Sequence, residues 1–200
     1  MYKSNSSRVF PIILVLIVVA IAIAVLVSVG RAIFGGNSSQ ETAKVDLGVE
    51  SLLNTSVDRS VRMIVRGPLV ADENFRSYQI AVDSSSRRLI TYSGYLDKTL
   101  ESEQLGNNTK AYEEFVYALA RANLMKGTEL EDDKNDTRGI CATGRLYEFE
   151  VLQGNSVIKR LWTSTCKGSA GSLKANVKQI ETLFNEQVPG SKTALRKIDV

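Results

Sequence analysis

The chain has 200 residues, of which 44% are hydrophobic, with 25 Lys and Arg against 22 Asp and Glu. All 22 acidic residues follow residue 40, so the chain beyond the first 30 residues is nearly neutral and lacks the concentrated positive field that nucleic-acid binding requires. The sequence contains no histidine, which excludes Ser-His and Cys-His catalysis and removes the commonest zinc ligand.

An uncharged apolar stretch covers residues 10–29. A helix over this stretch is long enough to cross the roughly 30 Å hydrocarbon core of a bilayer. We therefore predict a transmembrane helix over residues 10–30. A cleavable signal peptide that ends near Gly30 is the alternative.

The charges that flank the apolar stretch predict its orientation. Lys3 and Arg8 precede it, whereas Arg31 is the one basic residue close behind it. Because basic residues stay on the cytoplasmic side, residues 1–9 are expected in the cytoplasm and the C-terminal domain outside the cell membrane. The rest of the chain divides into a flexible linker, an extracytoplasmic domain and a tail, over residues 31–40, 41–190 and 191–200.

Helical spacing of apolar residues predicts a helix within residues 41–57 that ends near Asn54. Residues 60–66 alternate and are rich in β-branched side chains, which favours a strand, with continuation of the preceding helix as the alternative. The strand would place Val61 on one face and Arg62 on the other.

A β-hairpin is predicted from residues 76–82 and 89–95, which flank the turn sequence DSSSR. The expected register sets Ile80 opposite Ile90 and Tyr78 opposite Tyr92.

Polar residues 97–108 lead to a predicted helix that Asn108 or Thr109 caps. Its apolar stripe includes Tyr112 and Leu119, and Gly127 is the expected residue after its end. The acidic stretch that follows has no periodicity and is predicted to be an exposed loop.

A second hairpin is predicted from residues 145–152 and 157–165. One register places Leu152 opposite Val157, and a one-residue slip pairs Glu148 with Arg160. Both registers bring Cys141 and Cys166 close together across the ladder. These are the only two cysteines in the sequence, and we predict that they form a disulfide, as cysteine pairs do in oxidising compartments.

The last predicted helix begins at a Ser172 cap and ends before Pro189-Gly190, and residues 191–200 show no clear element. The expected fold class is α+β, with an antiparallel sheet of about five strands and helices packed on one face. The expected order of elements is α-β-β-β-α-β-β-α.

Several groups of side chains could carry chemistry, and each has a simpler structural interpretation that we favour. The acidic run from Glu129 to Asp136 could hold calcium but departs from the EF-hand pattern. The glycine- and serine-rich residues 167–172 could bind an anion, and the exposed arginines could meet an anionic polymer or lipid. The aromatic candidates for a ligand surface are Tyr78, Tyr92, Tyr95, Tyr112, Tyr117, Tyr147 and Trp162. The arginine candidates are Arg62, Arg66, Arg76, Arg87 and Arg88.

The segments VRGPLVADENFRSYQI (65–80), GICATGRLYEFEV (139–151) and LWTSTC (161–166) resemble uncharacterised single-anchor extracytoplasmic proteins of Saccharibacteria-like candidate-phylum bacteria. The similarity extends over most of residues 58–188. It implies residence in a bacterial envelope, and it implies no catalytic or binding residue.

The sequence therefore predicts a membrane-anchored extracytoplasmic domain that serves as a binding or assembly module of the cell envelope. Its expected partners are the membrane and an envelope protein, and no nucleic acid. No catalytic residue, metal ligand or cofactor is predicted. The alternative is a secreted or anchored envelope enzyme that uses chemistry without histidine.

Overall fold

The computed structural model describes residues 47–198, which belong to one compact unit spanning Val45–Val200. The predicted membrane helix and the linker lie outside the described residues. Between residues 47 and 198, no helix combines the length and the apolar character that crossing a bilayer demands.

The described chain forms four α-helices and six β-strands. In chain order, these are α1 (Leu47–Leu53), β1 (Arg59–Arg66), β2 (Arg76–Asp83), β3 (Ser86–Ser93), β4 (Lys98–Gly106), α2 (Thr109–Arg121), β5 (Leu146–Gln153), β6 (Ser156–Ser164), α3 (Val177–Asn185) and α4 (Ser191–Ile198). The predicted α+β class is confirmed, with six strands in place of the expected five.

The six strands form one antiparallel sheet in the order β4-β3-β2-β1-β5-β6. Side chains alternate between its two faces because successive residues of a strand point in opposite directions. One face carries the fully buried residues Val61, Met63 and Val65 of β1. Arg62 and Arg66 lie on the other face, as the alternation in the sequence predicts.

All four helices contribute side chains to a single core on the apolar face of the sheet. The predicted stripe of α2 is buried, and Phe115 meets Phe184 of α3 edge-to-face at a centroid distance of 5.2 Å. Burying this face accounts for most of the favourable free energy of folding. The opposite face is left to form the polar site described below.

The two edges of the sheet are protected in different ways. Strand β4 is largely exposed, carries Lys98, Glu101 and Glu103, and is interrupted by a register shift against β3. The edge of β6 is covered by the segment that follows it, because the carbonyl of Trp162 accepts a 3.0 Å hydrogen bond from the amide of Leu173. Charged residues and covering segments both discourage pairing with a further strand.

The predicted register of the first hairpin is wrong by one residue. Ile80 lies opposite Leu89, and Tyr78 lies opposite Thr91. The cause is the turn, where the carboxylate of Asp83 accepts hydrogen bonds from the amides of Ser85 and Ser86, both at 2.7 Å. This local bonding closes a loop shorter than the one that we expected.

The second hairpin combines a correct and an incorrect prediction. Leu152 lies opposite Val157, as expected next to the turn. A register shift between Val151 and Leu152 then places Glu150 opposite Arg160, so neither predicted register continues along the strands. Such a bulge adds one residue to one strand and increases the local twist.

Two helix ends differ from the prediction. Helix α2 ends at Arg121, because Asn123 adopts a left-handed backbone with φ of 60°. Helix α3 begins at Val177 behind an Asn176 cap, whereas Ser172 accepts a hydrogen bond from the amide of Trp162.

The expected polar connection and the expected tail both have regular structure. Residues 98–106 form the edge strand β4, and residues 191–198 form α4, whose Ala194 and Ile198 join the core. The C-terminal segment is therefore part of the folded domain.

Candidate binding clefts at one end of the sheet

One end of the sheet, called the cleft end here, is the end at which β1 finishes. Arg66 pairs there with Ser77 and Leu146, and Ser93 of β3 pairs with Lys98 of β4. The connection from α1 to β1 lies at the opposite end, where Asp58 accepts a 2.7 Å hydrogen bond from the amide of Gly154. Two clefts open at the cleft end.

The first cleft, called the arginine cleft, has a volume of about 530 Å³. It lies between the polar face of the sheet and the loop that precedes β5. Its lining residues are Arg66, Tyr95, Asp97, Asp136, Thr137, Arg138, Glu148 and Arg160.

A buried carboxylate fixes the floor of the arginine cleft. The Glu148 side chain is only 5% exposed, and its two oxygens accept from different arginines. Arg66 donates to Oε1 at 3.1 Å, and Arg160 donates to Oε2 at 3.2 Å. A carboxylate buried to this extent is tolerated because the two guanidinium groups compensate its charge. Glu148 therefore holds both arginines in place.

The loop above the floor is joined to the sheet through Arg160. Its guanidinium group donates to the backbone carbonyl of Asn135, and its backbone amide donates to Glu129 Oε2 at 3.3 Å. The loop that was predicted as exposed thus includes residues that cover the polar face of β6.

Arg138 and Asp136 form an ion pair at the mouth of the cleft. Arg138 Nη2 lies 2.5 Å from Asp136 Oδ2, and the Arg138 side chain is 90% exposed. The hydrogen bonds from Arg138 lower the pKa of Asp136 to about 2. Both groups are therefore charged at neutral pH.

Tyr95 supplies an aromatic surface at the edge of the arginine cleft. One face of its ring stacks on Phe75, with a centroid distance of 4.1 Å and an interplanar angle of 19°. Its hydroxyl donates to the carbonyl of Val70 at 2.7 Å and accepts from the Val70 amide at 3.1 Å. The residue is nevertheless 45% exposed, so the ring is held rigidly while part of it faces solvent.

Tyr95 belongs to a group of exposed apolar residues, called the apolar rim. It consists of Leu69, Val70, Tyr95 and Leu96, which are exposed by 43%, 42%, 45% and 95%, respectively. The two loops that carry the rim are bonded together, because Asp72 Oδ1 accepts a 2.8 Å hydrogen bond from the amide of Tyr95. Exposed apolar side chains on rigid loops are typical of a contact surface.

The second cleft, called the α3 cleft, has a volume of about 420 Å³. It lies on the helical side of the same sheet end. Its lining residues are Pro68, Thr143, Gly144, Arg145, Tyr147, Thr165, Val177, Lys178 and Glu181. Glu181 accepts a 3.1 Å hydrogen bond from the hydroxyl of Tyr78, and burial raises the pKa of the Tyr147 hydroxyl.

The Cys141–Cys166 pair lies next to the wall of the α3 cleft. The two Sγ atoms are at bonding distance, 2.10 Å, and the Cα atoms are 5.4 Å apart. The predicted disulfide is thus present in the structure. Gly144 packs so closely here that a Cβ atom would lie 3.0 Å from the Sγ atom of Cys141. The disulfide therefore fixes the segment that forms this wall.

The sequence candidates separate into groups that the fold brings together and groups that it does not. Arg62, Arg66 and Arg88 share the polar face, whereas Arg76 and Arg87 belong to the other side of their strands. Arg62 is paired with Glu150 at 2.5 Å, and Arg88 donates to Gln104 at 3.1 Å.

Most of the aromatic candidates are buried, as the favoured structural interpretation expects. The buried ones are Tyr78, Tyr112, Tyr147 and Trp162, whereas Tyr92 is half-buried and Tyr95 and Tyr117 are exposed. Of the exposed pair, Tyr95 alone lines a cleft described above.

The remaining two candidates are the acidic run from Glu129 to Asp136 and the segment 167–172. Of the acidic run, Asp136 lines the arginine cleft and Glu129 accepts from the amide of Arg160. In residues 47–198, no group of three or more acidic or cysteine side chains is arranged to hold a metal ion. The 167–172 segment does not start a helix, and its Gly171 lies against the carbonyl of Trp162.

Sequence reasoning missed several residues of the arginine cleft and of the apolar rim. In the cleft these are Asp97, Thr137, Arg138, Glu148 and Arg160, and in the rim they are Leu69, Val70 and Leu96. The signal that was available is the apolar pair Tyr95-Leu96 between Gly94 and a charged residue, since exposed apolar residues in a turn indicate a contact surface.

Comparison with known proteins found no matching family model and no similar curated protein.

Proposed function

We propose that the chain is a membrane-anchored extracytoplasmic module that binds a component of the cell envelope at the cleft end of its sheet. The observation that carries this proposal is the convergence of the arginine cleft, the α3 cleft and the apolar rim at that end. Clefts of several hundred Å³ with a few fixed polar groups are typical ligand sites.

The rigidity of the rim also supports a binding role. Binding costs less when the contacting side chains are already ordered in the free protein. Tyr95 is ordered by its stacking on Phe75 and by two hydrogen bonds to Val70, and Leu96 follows it directly. Tyr95 can therefore contact a partner with little further ordering of its own side chain.

The disulfide supports the proposed compartment. A bond between Cys141 and Cys166 is stable in oxidising surroundings and is rare in the cytosol.

Site-specific photocrosslinking tests the proposal in the full-length chain. A diazirine amino acid replaces either Leu96 or Val57, which are 95% and 90% exposed and lie at opposite ends of the sheet. On irradiation of intact envelopes, we expect a far larger fraction of the chain to be captured in high-mass species from position 96 than from position 57. Equal capture from the two positions contradicts the proposal.

A further inference from the structure

We propose that the arginine cleft binds a neutral oligosaccharide, with the exposed side of the Tyr95 ring as its stacking surface. This inference rests on the proposed function and names the class of ligand for one of its clefts. It follows from the charge balance, the hydrogen-bonding groups and the ring geometry of the cleft.

The charges of the cleft favour a neutral ligand. The lining contains three guanidinium groups and three carboxylates. Arg66 and Arg160 are paired with Glu148, and Arg138 is paired with Asp136. Asp97 also faces Arg66, at 3.9 Å, so the three positive and three negative charges balance. The cleft therefore has no net charge that would favour an anionic or a cationic ligand over a neutral one. A neutral ligand leaves these pairs intact.

The hydrogen-bonding groups suit hydroxyl-rich molecules. Guanidinium groups only donate and carboxylates only accept, whereas a hydroxyl group can do both. The lining contains both donors and acceptors, and Thr137 adds a hydroxyl group that does either. A chain of sugar hydroxyls can therefore bond to neighbouring donors and acceptors at once.

The aromatic surface completes the match. Phe75 covers one face of the Tyr95 ring, and the residue is 45% exposed and lines the cleft. Sugar rings have an apolar face that packs on aromatic rings, and a rigid aromatic contact loses little entropy on binding. The cleft volume of about 530 Å³ falls within the range of about 300–1,000 Å³ found for ligand sites.

Direct binding measurements test this inference. The full-length chain, held in nanodiscs, is titrated calorimetrically with hexasaccharides of N-acetylglucosamine, glucose and mannose, and with hexaglutamate as an acidic probe. We expect at least one neutral hexasaccharide to bind and Tyr95→Ala to weaken its affinity by about tenfold or more. Tyr117→Ala is the matched control, because Tyr117 is similarly exposed at 49% but lies on α2. Its affinity should equal that of the parent chain.

A second variant guards against loss of folding in Tyr95→Ala. Arg138 is almost fully exposed and has its ion pair with the nearby Asp136, so Arg138→Gln should fold and should weaken binding by about threefold or more. Three results overturn the inference: no binding of any neutral hexasaccharide, binding of hexaglutamate alone, or affinity that neither variant changes. If one of these results is obtained and photocrosslinking from position 96 still captures high-mass species, then the proposed ligand class is wrong but the proposed binding role is not.

Discussion

Removing the Cys141–Cys166 disulfide should destabilise the domain by an amount that depends on the number of residues between the two cysteines. The cysteines are 25 residues apart, and closing a loop of this length in the unfolded chain corresponds to about 3.5 kcal/mol at 25 °C. For a domain of about 150 residues, each kcal/mol shifts the Tm by roughly 2–4 °C. We therefore expect the double variant Cys141→Ala, Cys166→Ala to melt about 7–14 °C below the parent chain.

Calorimetry on a soluble chain that begins at residue 41 measures this shift. Adding dithiothreitol to the parent chain should reproduce the effect, and adding it to the double variant should change nothing. A shift below about 2 °C would refute the reasoning, because it would mean that the bond does not constrain the unfolded chain. The α3 cleft should lose order in the same variant, since the disulfide holds its wall.

Three further predictions address single residues. Gly171→Ala should destabilise the fold by about 1–3 kcal/mol more than Gly139→Ala in urea unfolding, because both glycines have φ of 73° but only Gly171 has neighbours within 4 Å of an added Cβ. Equal losses would contradict this. Asn108→Ala should cost about 1 kcal/mol through loss of the cap on α2, measured in the same way. The Asp136 carboxyl should titrate near pH 2 by NMR, and Arg138→Gln should raise its pKa towards 3.8. Its ion pair is therefore complete above about pH 4 and is lost as the pH falls through 2.

The parts of the fold that the sequence predicted are those in which burial and pattern agree. Strand β1 alternates in sequence and has one buried face, and α2 has a buried stripe behind an Asn108 cap. The cysteine pairing was also predictable, because two hairpin strands bring both residues to one end. In each of these cases, a local pattern and a tertiary contact favour the same structure.

The parts that the sequence did not predict depend on contacts that leave no local pattern. Strand β4 is largely exposed, and Leu105 near its end packs against the core. No apolar alternation therefore marks the strand in sequence, and pairing with β3 determines its conformation. Helix α4 spans only eight residues, and its place in the core depends on Ala194 and Ile198 meeting the sheet. The arginine cleft was missed because its residues come from five separate parts of the chain, which only the tertiary fold brings together.

The protection of the two sheet edges would have a consequence if the domain is anchored in a membrane, as proposed above. Chains anchored in one bilayer meet each other far more often than molecules in dilute solution do, and an open strand invites them to polymerise. Here the charges of β4 oppose such growth on one side, and the segment that ends at Leu173 closes the other. Many copies of the domain can thus stand close together as separate molecules, each with its clefts available.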